Sequence, residues 1–292
     1  MDETGDTQDG EPMEKDTTKT APLVVNIASN GDVVLDVEFQ NSRETLKSAR
    51  KAVVSHARPA FVSSAPQAEL KPQVKVAYRV RLATLKMHSK YFDNLLSDTR
   101  FQEARSIETA FEKLSLRGAK AEDAAVKELP WVKIVDDDEA TRSAGREAAF
   151  GDLLRILHNV ETVTKSFTFT YVATLAVLAD RFDCVLAVSR YMPRLKPKWP
   201  LTQPRTPRDD GVCLTKHTED VLRQKILVAW LLDQPLRLAA ASRELIMYGS
   251  ARWSAFPEAD MQVYGATWWD LQDDLESKYI SFLLFLHPNQ LS

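Results

Sequence analysis

Two stretches of alternating apolar and polar residues constrain this chain most. Val33, Leu35, Val37 and Phe39 fall on one face of an extended segment, with Val34, Asp36 and Glu38 on the other. Val74, Val76, Tyr78, Val80 and Leu82 repeat the pattern, with Lys75, Arg79 and Arg81 opposite. A side-chain period of two marks both as half-buried strands of one sheet, and an apolar sheet face needs a second layer to cover it. Upstream, residues 23–29 are rich in β-branched and aliphatic residues, and Asn30-Gly31 separates them from the first alternating run. Asn-Gly tolerates the two positive φ angles of a type I′ turn, so the spacing predicts a β-hairpin there.

A period near 3.6 takes over downstream. Ser89 opens a short helix with Phe92, Leu95 and Leu96 on its apolar face. Phe150, Leu153, Leu154 and Leu157 form one helical stripe, and Tyr171, Leu175, Leu178 and Phe182 a second. Phe182, Val185, Leu186 and Tyr191 extend the second stripe into a further short helix. Residues 131–135 read as a short strand, and Asp136-Asp137-Asp138-Glu139 after it as a solvated turn. Two segments interrupt the pattern. Residues 40–73 read as a long surface loop in which 43–53 fit a short basic helix, and 107–130 read as a charged insertion. The combination predicts an α+β fold: a small mixed sheet of three or more strands capped by helices.

The flanks differ in composition. Residues 1–20 hold seven acids (Asp2, Glu3, Asp6, Asp9, Glu11, Glu14 and Asp16) against Lys15 and Lys19, with almost no large apolar residue. Such a segment cannot bury enough surface to offset its ordering entropy, so 1–22 is expected to be a disordered acidic tail. Pro193, Pro197, Pro200, Pro204 and Pro207 make 193–216 a semi-rigid linker between a domain at 23–192 and a helical C-terminal extension at 217–292. In that extension Thr218 is expected to cap a helix that runs to Leu232 and is stopped by Pro235. Residues 236–248 read as another helix closed by Gly249, and Trp268-Trp269 leads into a helical pattern at 270–286.

Composition narrows the function classes. Lys plus Arg number 38 and Asp plus Glu 41, a formal net charge of −3. That balance argues against a dedicated nucleic-acid binder. Two cysteines build no disulfide framework. The best apolar stretch, 279–286, falls well short of the roughly 18 to 20 residues of a membrane span. The acidic, polar start is no signal peptide, so a soluble chain of the cytoplasm or nucleus is expected. No GxGxxG, GxxxxGKS/T or GxSxG spacing is present. His56, His88, His158, His217 and His287 are scattered, and Cys184 and Cys213 form no CxxC, so no four-ligand zinc site can be assembled. Four consecutive acids at 136–139 cannot all converge on a hard cation. Five of the six tryptophans lie beyond residue 198, which reads as core packing and partner surface. The expectation is binding to other proteins, with no catalysis, no cofactor, no metal and no membrane contact.

Several segments carry a family resemblance in their order. Gly31-Asp32-Val33-Val34-Leu35 resembles the first strand of BTB/POZ domains, in the style of filamentous fungal members. Residues 80–92 look like the family's second strand and its Leu-x-x-x-Ser-x-x-Phe helix, with Leu85, Ser89 and Phe92 at those positions. Ile134-Val135-Asp136-Asp137 resembles the third strand and its acidic turn, and residues 150–157 the following Phe-x-x-Leu-Leu helix. Leu178-Ala179-Asp180-Arg181-Phe182-Asp183 looks like the Leu-Ala-Asp-Lys-Tyr helix, the most specific single match. The resemblance covers about residues 25–192, with insertions at 40–73 and 107–130. Arg81 stands where the family usually has histidine.

The resemblance implies a protein-interaction module that presents an apolar and charged surface to a partner. Its more specific form is a substrate adaptor for a cullin-3 type ubiquitin ligase. In that family the cullin contact includes a hydrophobic-x-Glu motif, which Phe101-Gln102-Glu103 fits. Phe101 would fill an apolar pocket and Glu103 would pair at its rim. Tyr91 and Leu95, on the preceding helix, complete the expected partner-binding set. A homodimer stays open, although residues 1–22 show no amphipathic helix of the kind that dimeric members place before the first strand. The alternative expectation is a regulatory protein that contacts nucleic acid through the basic residues of 40–58, namely Arg43, Lys47, Arg50, Lys51, His56 and Arg58.

Overall fold

A computed structural model describes residues 24–56, 70–165, 167–200 and 215–248. Four strands, β1 (Val24–Asn26), β2 (Val33–Gln40), β3 (Gln73–Val80) and β4 (Trp131–Asp137), form one sheet in the order β1-β3-β2-β4. The two alternating runs pair antiparallel over their full length, from Val33 opposite Val80 to Gln40 opposite Gln73. β1 lies parallel to β3, and β4 lies parallel to β2. The sheet is therefore mixed, and with its helices the fold is α+β.

The hairpin at Asn30-Gly31 is not formed, because β3 lies between β1 and β2. Residues 28–31 make a tight turn in which Gly31 N–H donates to the Ala28 carbonyl at 3.1 Å, and neither Asn30 nor Gly31 has a positive φ. β2 finds eight partners along β3, more than a three-residue β1 could offer. Gly31 serves a close approach instead. A Cβ there would stand 2.9 Å from both the nitrogen and the carbonyl oxygen of Val80. The same crossing ends β3 early. Asp32 accepts the Leu82 N–H at 2.7 Å, so Leu82 opens helix α2 (Leu82–His88) rather than closing the strand.

Eight further helices are described: α1 (Arg43–His56), α3 (Lys90–Ser97), α4 (Gln102–Leu116), α5 (Arg146–Leu157), α6 (Phe169–Arg181), α7 (Val185–Leu195), α8 (Lys216–Leu231) and α9 (Pro235–Tyr248). The basic helix expected inside 40–73 is α1, one turn longer than its pattern suggested. The segment 107–130 is half helix. α4 runs into it, and a short 3-10 turn follows at Ala121–Asp123. Leu114, Ala124 and Leu129 from this segment bury Val34 and Ala77 on the second face of the sheet. Its apolar residues are few and spread among charges, which hid the period.

The main core lies on the other sheet face. Phe150 of α5 meets Phe39 and Tyr78 of the sheet at 5.7 and 5.5 Å between ring centroids, and Phe182 at 5.0 Å. α6 is buried along most of its length, and Leu222, Ile226 and Val228 of α8 join the same cluster. α7 continues through Pro193 to Leu195, past the start of the expected linker. Thr215, not Thr218, caps α8, accepting the Thr218 N–H at 3.2 Å. Pro235 opens α9, where a proline's missing N–H costs nothing. Residues 1–23, Cys213, Gly249, Trp268, Trp269 and 270–286 lie outside the described residues. No described helix is long and apolar enough to cross a membrane.

The acidic run is not a solvated turn. β4 extends through Asp137, and its inward residues run Val132, Ile134, Asp136. Asp136 and Arg146 are both fully buried and ion-paired. Arg146 directs all five guanidinium N–H bonds at acceptors: Asp136 Oδ2 and its carbonyl, the Gln40 carbonyl at 2.7 Å, Asn41 Oδ1, and the Ser143 carbonyl at 3.2 Å. Asp138 is buried too, accepting from the Ser42 N–H and hydroxyl at 2.9 and 3.0 Å.

Arg146→Ala leaves Asp136 buried without its main partner. Stability should fall by about 3–5 kcal/mol, read by urea denaturation; a loss under about 1 kcal/mol would contradict the network's role. A pH effect follows from His158. Its Nδ1 faces the Leu154 carbonyl at 2.7 Å, and its Nε2 accepts the Arg81 N–H at 3.0 Å, which only a neutral ring can do. Burial is the largest cause holding its pKa below the ordinary 6.5. Stability linked to this ring is present above that value and should decline as pH falls below it. His158→Gln should flatten the decline in melting temperatures measured from pH 7.5 to 5.

Candidate partner-binding surface

α3 is only eight residues long, so its ends decide whether it forms. Ser89 caps it, accepting the Phe92 N–H at 3.0 Å while its hydroxyl donates to the Phe182 carbonyl at 2.6 Å. This turns Phe92 and Leu96 into the core and leaves Tyr91 outside, with Leu95 half-buried. The Tyr91 ring stands edge-on to Phe92 and Phe182, at 5.3 and 5.2 Å, and Phe92 stacks on Phe182 at 5.6 Å. Three rings in contact fix where the exposed one points.

A short turn then leads into α4. Arg100 holds both carboxylate oxygens of Asp98, and the Phe101 N–H donates to the Asp98 carbonyl at 2.9 Å. The Arg100 hydrogen bonds hold the Asp98 carboxyl below its usual value. Phe101 sits at the N-cap of α4, 43% exposed and outside the core. Glu103 lies in the first turn of α4, where a carboxylate suits the positive end of the helix.

Behind this corner lies the charged end of β4. Arg181 of α6 reaches Asp137 Oδ2 at 2.7 Å, and its other nitrogen lies 3.1 Å from Asp136 Oδ1. The second contact is off the N–H direction, so Asp136 Oδ1 gains charge pairing without a hydrogen bond. The Asp137 bond raises the Arg181 pKa and lowers that of Asp137. Burial pushes the Asp136 carboxyl up, opposed by Arg146 and Arg181. The Tyr91 hydroxyl is pushed up chiefly by burial; Arg181 opposes this, and Glu103 and Asp136 add to it.

The four residues predicted as partner-binding thus fall on two consecutive elements, α3 and the start of α4. The Glu103 charge lies near enough to the Tyr91 hydroxyl to help push its pKa up, after burial and against Arg181. The basic residues Arg43, Lys47, Arg50 and Lys51 are exposed along α1. Asp136, Arg146 and Arg181 escaped the sequence reading. The signal was there: Val132 and Ile134 set a period of two that places 136 inward. Cys184 is buried, and burial pushes its thiol up to about 12, far from a reactive thiolate. Among the described residues no group of His, Cys, Asp and Glu could hold a metal ion. The arrangement offers recognition chemistry: apolar rings beside a carboxylate on a braced corner. Compared with known proteins, the chain matches no family model, no curated protein and no solved structure.

Proposed function

We propose that this chain is a protein-interaction module of the BTB/POZ type. Its partner face is the α3–α4 corner, and its partner is a cullin-3 type ubiquitin-ligase scaffold. The observation that carries this reading is Phe101, an aromatic residue 43% exposed at a helix start, two residues before Glu103. A ring in that position buries apolar surface only when something docks on it. The order of elements supports the family reading: the antiparallel pair β2 and β3 with α1 between them, then α2, α3 and the longer α4, then β4 parallel to β2, then α5 to α9. Leu85 and Phe92, two of the motif positions, are fully buried, and Ser89 joins them to α6 through the Phe182 carbonyl. The proposed module binds and positions; it carries no catalytic step and no cofactor.

The test is calorimetric titration of the full chain with the purified N-terminal region of cullin-3. Phe101→Ala/Glu103→Ala should weaken binding by about 30-fold, a loss of about 2 kcal/mol expected of an interface anchor. Both substitutions are on exposed or half-exposed side chains, so the fold should survive, checked by circular dichroism. A folded wild-type chain that shows no binding would overturn the cullin assignment.

A second reading, nucleic-acid contact through α1, is favoured by one observation. Arg43, Lys47, Arg50 and Lys51 follow i, i+4, i+7, i+8 spacing and are exposed. It expects duplex binding that falls steeply with salt and is lost in Lys47→Ala/Arg50→Ala. Binding that ignores either change would remove this reading.

A further inference from the structure

A groove of about 900 Å³ runs between α4 and residues 127–131. Arg105 and Lys113 line it from α4 and Arg117 from the C-cap of that helix, at i, i+8 and i+12, and Lys127 lines it from the other segment. Glu128 also lines the groove and pairs with Arg117 at 3.6 Å. Arg105, Lys113 and Lys127 have no ion pair among the described residues. Trp131, 37% exposed, gives the groove an apolar wall, and its indole N–H donates to the Val126 carbonyl at 3.1 Å. The groove is therefore a cationic slot with an aromatic side, a shape suited to an extended acidic segment.

We propose that the occupant is residues 2–16 of this same chain. That segment carries seven carboxylates against one lysine, Lys15. The described chain begins on β1, on the same sheet face as the groove: Val24 packs against the cluster that includes Leu114 and Leu129, both of which line the groove. Seven residues separate Asp16 from Val24, and the eight steps between them, at roughly 3.3 Å each, reach about 26 Å. α4, with its 15 residues, is about 22 Å long, so the segment can follow the whole row of cations. Single exposed ion pairs are weak. Several acting together on a tethered segment, at an effective concentration near millimolar, are not. The contact is electrostatic, so salt dissolves it. This inference does not rest on the cullin reading, which concerns Phe101 and Glu103 at the start of α4, neither of which lines the groove.

The test is zero-length carbodiimide cross-linking of the full-length chain at low protein concentration, with mass spectrometry of the monomer band. Links should join residues 2–16 to Lys113 or Lys127 and disappear at high salt. Arg105→Glu/Arg117→Glu keeps both reacting lysines and should reduce those links several-fold. Circular dichroism checks that the variant folds, and the salt series decides alone if it does not. Links to Lys47 or Lys51 of α1 in their place would overturn the proposal. So would links found only in a dimer band. So would no links while acetic anhydride still modifies Lys113 and Lys127.

Discussion

The buried pair of Arg146 and Asp136 sets the terms for the rest of the molecule. A guanidinium does not lose its charge at any pH the protein meets, so burying it is tolerable only if every donor is matched. Here all five are matched. The acceptors come from the end of β2, the end of β4 and the entry to α5. The end of β2 is thereby held in one geometry with the end of β4 and the entry to α5, about a hundred residues later in the chain. Arg146 also lies over the Phe39 ring at 5.6 Å, tying the charge to the aromatic core.

That constraint reaches the surface through a short chain of contacts. With the entry to α5 held, Phe150 stands among Phe39, Tyr78 and Phe182. Arg181, one residue before Phe182, closes on Asp137 at the end of β4. Phe182 in turn stacks on Phe92, and its carbonyl takes the Ser89 hydroxyl. The α3–α4 corner is thus braced from behind by rings and by charge. A braced surface loses little freedom on binding, and so keeps more of its contact energy as affinity.

Much of the fold was legible because it rests on local periodicity. The eight-residue pairing of β2 with β3, the Phe150 stripe of α5 and the apolar run of α6 follow from period-two and period-3.6 patterns. The misreadings share one cause. Asn30-Gly31 suits a hairpin locally, but β3 offers β2 a longer partner. The acids at 136–138 look solvated by composition, yet the pleat turns Asp136 inward. Charged α4 resembles a loop until Val34 and Ala77 demand a cover. The candidate site was legible as residues, Tyr91, Leu95, Phe101 and Glu103, but not as a surface. Exposure depends on which neighbours arrive.

By itself the sequence determined that two strands alternate, that helices follow with apolar stripes, and that an acidic segment precedes them. These are properties of residue order within about ten positions, where side-chain direction repeats with the backbone. Only the tertiary structure decided that β3 separates β1 from β2, that Asp136 meets Arg146 and Arg181, and that α4 builds a cationic groove while leaving Phe101 outside. Most of those depend on partners tens of residues apart, and Asp136 and Arg146, ten apart, meet only because a strand end and a helix start are brought together. Their meeting is selected by the summed burial of the whole core, a quantity that no short stretch of sequence contains.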